Sequence, residues 1–162
     1  MFAATAVCVF ALISHCEAII GGREAVAHSR PYMASIQHFV EQQKTHECGG
    51  FLVAEQWVMT AVHCFPQGTD NRKVVLGVHS LTQSQDTQQV FEILELHKNP
   101  NYSAENFDND IALIKLDRPA NITSAVQIVP FLRSGGTNPS TDEQADTAGW
   151  GASDNLAPDR TN

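Results

Sequence analysis

A chain of 162 residues that is 43% hydrophobic and 17% charged has the length for one good core and the beginning of a second, and its composition excludes global disorder. Eighteen acidic residues against ten basic ones give a formal charge of -8. That balance excludes nucleic-acid and anionic-membrane partners, because binding by counterion release needs clustered Lys and Arg and the ten here are scattered.

The chain begins "MFAATAVCVFALISHCEA", a short apolar stretch from Phe2 to Ile13 followed by small and polar residues ending at Ala18. This is the grammar of a signal peptide, although no Lys or Arg precedes the apolar run. The stretch is too short to span a bilayer. Residues 1–18 are therefore expected to leave on secretion to the extracellular space, taking Cys8 and Cys16 with them.

Past the leader, short apolar or alternating runs are punctuated by turn signals. The runs are "PYMASIQ" (31–37), "GGFLVAEQWVMTA" (49–61), "KVVLGVHSL" (73–81), "QQVFEILELH" (88–97) and "DIALIKL" (110–116). Between them lie "FPQGTDN", "KNPNYSAEN" and "DRPANITS", rich in Gly, Pro, Asn, Asp and Ser. No stretch sustains a helical period. The fold class is all-β, a small antiparallel barrel or sandwich spanning about Arg30 to Val126. After Pro130 the texture changes to a polar connector, "RSGGTNPSTDEQAD", and "TAGWG" reads as the opening of another strand.

Two cysteines remain in the mature chain, Cys48 and Cys64, and an even pair in a secreted chain reads first as a disulfide. The competing reading takes His46, Cys48, His63 and Cys64 as a zinc set. Against it, neither half has paired-ligand spacing, and adjacent side chains on an extended backbone point to opposite sides. No metal is expected.

A disulfide between these cysteines would clamp the loop bearing His63 onto the strand starting at Gly49. A positioned histidine is a general-base candidate, because its ordinary pKa lies near neutrality, but it needs a partner to fix its tautomer. Asp110, at the mouth of an apolar strand, is costly to bury unless a donor meets it, and an imidazole N–H is such a donor. Of the other histidines, His46 reads as a surface or capping group, and His28, His38, His79 and His97 as structural or solvated. Asp108 reads as a turn residue, and Trp57 and Trp150 as packing anchors. Asn101 in "NYS" and Asn121 in "NIT" meet the N-glycosylation sequon between strand-like runs.

Four segments in order, "IIGGREA", "CGGFLVAEQWVMTAVHC", "NDIALIKL" and "AGWG", resemble the trypsin-like serine endopeptidases over residues 19–162. The resemblance implies the first six-stranded antiparallel barrel of a two-barrel fold over residues 19–127. Residues 128–162 would be the connector and incomplete start of the second barrel. It also implies His63 and Asp110 as two members of a Ser-His-Asp triad, the Cys48–Cys64 disulfide behind them, and Ile19 as the mature N-terminus. Within the family the wording "GGREAVAHSRPYMASIQ", "LVAEQWV" and "LGVHSLTQ" is most similar to the complement factor D branch. That branch implies a protein substrate, a complement zymogen, with no cofactor and a monomeric enzyme. The alternatives are a granzyme or mast-cell protease, which shares "IIGG" and "HSRPYM", and a catalytically dead truncated binding protein. The acidic balance favours the factor D branch over the commonly basic granzymes.

The chain departs from the family in four places. No GDSGGP-like block with the nucleophilic serine occurs in residues 1–162; Ser134 in "RSGG" is its nearest imitation. The chain as given is thus expected to be inactive. Ala18 stands before Ile19 in place of Lys or Arg. Tryptic activation is thereby excluded, and cleavage falls after Ala18, or after Cys16 with removal of the Glu17–Ala18 dipeptide. Val62 stands where alanine is usual, and Ala145 replaces a family cysteine. His46 matches a family histidine that helps hold the inactive state.

Overall fold

The computed structural model describes residues 22–41, 43–131 and 140–151. One compact unit runs Ala25–Trp150, and Met1–Glu24 and Gly151–Asn162 fall outside it. The leader, Ile19 and Ser134 lie outside the described residues.

Among the described residues six strands form the unit: β1 (Met33–Val40), β2 (Gln43–Ala54), β3 (Trp57–Thr60), β4 (Arg72–Leu76), β5 (Gln89–Lys98) and β6 (Ala112–Leu116). They close into an antiparallel barrel in the order β1-β2-β3-β6-β5-β4. The all-β expectation holds, and the sole helical element among the described residues is a three-residue 3-10 turn, Val62–Cys64.

Alternation explains which faces turn inward. In β6, Ala112, Ile114 and Leu116 are buried while Leu113 and Lys115 are not, the period of two that sends successive side chains to opposite faces. β5 breaks this period. Phe91 and Ile93 point inward and then Leu96 does, because the pairing with β6 shifts register between Ile93 and Glu95. The extra residue of a bulge flips the face and leaves Leu94 outside. Ile36, Leu52, Val58, Phe65, Val74, Leu76, Phe91, Ile114, Leu116 and Val126 fill the interior.

The expected run 49–61 is two strands, turning at Glu55 and Gln56, and the Gln56 side-chain amide ties this turn to β6 by donating to the Leu116 carbonyl (2.8 Å). β2 begins earlier than the run, at Gln43, since its first half forms an exposed hairpin with β1 and carries no apolar alternation. β4 ends at Leu76, earlier than expected, because Gly77 adopts a left-handed φ of 66° and a Cβ there would overlap the Thr87 carbonyl oxygen. The described part of the "TAGWG" segment is not a strand; it pairs with no other strand, and Trp150 instead packs by its ring and indole N–H.

Candidate active site

β2 and β3 deliver the histidine. A Cβ at Gly50 would lie 2.8 Å from the Met59 carbonyl oxygen, so only glycine lets the two strands approach this closely. Thr60 closes β3 and donates its hydroxyl to the Gly49 carbonyl (2.8 Å). The chain then coils into the Val62–Cys64 turn, with Val62 buried in the core. Cys64 is bonded to Cys48, which ties the turn to β2 on the far side of His63.

That 3-10 turn corrects the premise of an extended backbone at residues 63 and 64. The two side chains do not diverge, and His63 Nε2 lies 3.8 Å from Cys64 Sγ. Cys48, His63 and Cys64 consequently hold donor atoms within 4.8 Å of one another. Both sulfurs are spent in the disulfide, however, and offer no thiolate to a metal.

Asp110 reaches the turn from the residues before β6. One carboxylate oxygen accepts the backbone N–H of His63 (3.0 Å) and the other meets the ring Nδ1 (2.5 Å). Two contacts to one residue fix both its position and its ring, and a proton on Nδ1 leaves Nε2 as the free base. The Asp110 side chain is 18% exposed and that of His63 is 51% exposed. Burial by itself would raise the Asp110 pKa. The hydrogen bonds from the His63 ring and backbone and from the Val62 backbone, together with the attraction of the imidazole charge, outweigh it and hold the carboxyl below its usual range.

Residues 99–111 form a loop beside the pair. Phe107 and Asn109 take left-handed φ values of 59° and 57°, and Phe107, 59% exposed, stands edge-on to the His63 ring at 6.0 Å. A cleft of about 440 Å³ opens here between Val62, His63, Phe65, Lys98, Tyr102 and Phe107. Tyr102 and Phe107 escaped the sequence reading, and the signal for them was a pair of aromatics in an otherwise polar loop. Asp108 is a turn residue: its carbonyl accepts the Ser103 N–H (3.0 Å) and its carboxylate the Asn106 amide (2.7 Å).

His46 is not the surface or capping group expected. Its Nδ1 lies 2.8 Å from the Ser35 hydroxyl, its ring is edge-on to Trp150 at 5.4 Å, and burial lowers its pKa. Gln37 extends this group through a bond to Ser35 (3.0 Å), while its side-chain carbonyl oxygen is buried without a partner among the described residues. His38 pairs with Glu47 (3.5 Å) and His97 with Glu95 (2.8 Å), both on the outer surface.

The family model for trypsin matches residues 19–162. The chain belongs to the trypsin family. It is 43% identical to granzyme M of Rattus norvegicus over 82% of this chain and 50% of the relative. Chymase of Macaca fascicularis is 38% identical over 93% of this chain and 60% of the relative, and granzyme H of Homo sapiens 41% over 83% and 53%. A solved structure described as GrC superimposes with a TM-score of 0.65 at 38% identity, covering 75% of this chain and 52% of the other. The chain thus spans about half the length of the trypsin-family relatives it matches.

Proposed function

We propose that this chain supplies the general-base half of a secreted serine endopeptidase of the granzyme or mast-cell-protease type. The observation that carries the reading is the Asp110 carboxylate bonded at once to the ring and the backbone N–H of His63, within a trypsin-family barrel. In the reaction, His63 Nε2 takes the proton of a serine hydroxyl as that oxygen attacks the peptide carbonyl. It then returns the proton to the departing amine, and Asp110 stabilises the imidazolium between the two steps. An acyl-enzyme is the intermediate, water releases it, and no cofactor takes part.

The nucleophile in this reading is a serine outside residues 1–162. Residues 1–18 serve as leader, Ile19 as mature N-terminus, residues 19–127 as the first barrel, and residues 128–162 as connector and start of the second. Granzymes and chymases among the relatives favour this branch over the factor D branch and its complement zymogen. Net charge had favoured factor D, but it is set by surface residues that vary without touching the fold, so it separates the branches poorly.

The test is to sequence the complete transcript and to treat its secreted product with a fluorophosphonate. A GDSGGP-like block downstream, with labelling that His63→Ala abolishes, is the expected result. A stop codon directly after Asn162, with no labelling, would overturn the reading in favour of a non-enzymatic binding protein.

A further inference from the structure

Two sequons stand outside the catalytic reading, and the structure places them at opposite ends of β5. Gln89, its first residue, donates its side-chain amide to the Asn121 carbonyl (2.7 Å) and accepts the Asn121 N–H (2.9 Å). Lys98, its last, leads directly into Asn99–Asn101. Ten extended residues set the two sites roughly 30 Å apart.

The sequon at Asn101 is part of the cleft wall, since its middle residue, Tyr102, lines the cleft together with His63. The Asn101 backbone is held from both sides. Its N–H donates to Asn99 Oδ1 (3.0 Å), and its carbonyl accepts from the side chain of Asn109 (3.0 Å), the residue before Asp110. Asn101 itself is exposed, and among the described residues no hydrogen bond uses its side-chain amide or the Ser103 hydroxyl. At the other sequon, the Thr123 hydroxyl accepts the backbone N–H groups of Ala125 and Val126 (3.2 Å each). Residues 104–109, of which Ala104 and Phe107 form a rim of the cleft, are all exposed.

We propose that Asn101 carries an N-linked glycan that stands over this rim and limits which macromolecules reach the cleft beside His63. Attachment joins Asn101 Nδ2 to the anomeric carbon of an oligosaccharide. The bond broken is the anomeric C–O bond to a lipid-pyrophosphate carrier, which leaves with the amide proton. Restriction of substrates rests on the protease reading, whereas the presence of the sugar does not.

The test uses protein secreted by cells carrying the complete transcript: wild type, Asn101→Gln, Ser103→Ala and Asn121→Gln. Mass spectrometry reads the sugar. Added chymotrypsin, cutting after the exposed Phe107, serves as a macromolecular probe of the rim. Asn101→Gln and Ser103→Ala should each lose one glycan and be cut at Phe107 severalfold faster, while Asn121→Gln should be cut at the wild-type rate. Ser103→Ala keeps the asparagine and its backbone bonds, so a shared effect belongs to the sugar. Unchanged mass in both variants at the Asn101 sequon overturns the proposal, as does loss of the glycan with an unchanged cutting rate. A product that carries the sugar and shows the rate difference, yet never reacts with a fluorophosphonate, supports the glycan and removes the protease reading.

Discussion

Asp110 is bound twice to the same neighbour, and the two contacts serve different ends. The bond to the His63 backbone N–H fixes where the turn sits, and the bond at Nδ1 fixes the ring and its tautomer. Asp110→Asn keeps the shape but presents an amide N–H where an acceptor is needed. Under the proposed protease function, kcat of the complete protein should fall by about 10⁴-fold with little change in KM, the size of loss expected from a wrong tautomer; steady-state kinetics on a peptide ester reads it. The same residue sets an acid limit. Its pKa in the folded chain lies below the unfolded value, so its stabilisation is complete above pH about 4 and is lost as pH falls through the folded value. Thermal midpoints from pH 5 to pH 2 should fall more steeply in wild type than in Asp110→Asn. His46 obeys the same rule at higher pH. Burial lowers its pKa from 6.5, so the unfolded chain takes up a proton first and stability declines below that pH. His46→Gln should flatten the decline between pH 7 and pH 5, and equal slopes in the two proteins would reject the assignment.

The strands show how far a linear reading reaches. β6 was legible because "ALIKL" alternates cleanly and one face of it is buried. The first half of β2 was not, since "QKTHE" is polar on both faces and its pairing is set by β1. Nor did apolar patterning reveal the coil at His63, because a single 3-10 turn is too short to establish a period. The catalytic-site candidates were legible for another reason: His63 and Asp110 sit in local motifs, whereas Tyr102 and Phe107 acquire meaning only once the loop folds beside the imidazole. The tightest strand contact yields a direct test. Gly50→Ala must push β2 off the Met59 carbonyl, which should cost about 1–3 kcal/mol by the usual penalty for overpacking. Urea unfolding of the variant against wild type measures it, and an unchanged midpoint would show that β3 yields freely.

At the scale of the molecule, each strand of the barrel pairs with two others around one interior. A ring of this kind has no strand that can leave without exposing the core on both sides. Residues Ala25–Trp150 should therefore unfold in one step. Far-ultraviolet circular dichroism and the fluorescence of Trp57 and Trp150 should trace a single urea transition, and separated midpoints would mean that the barrel opens in parts. The link between Cys48 and Cys64 has a consequence beyond the barrel. In a cytosol poised by glutathione both positions would persist as thiols, and about 3 kcal/mol of restraint would be missing. The turn that carries the imidazole would also lose its covalent tie to β2. Chain produced inside a reducing bacterial cell and chain produced by export are thus expected to share a sheet order while differing in how firmly the His63 ring is seated.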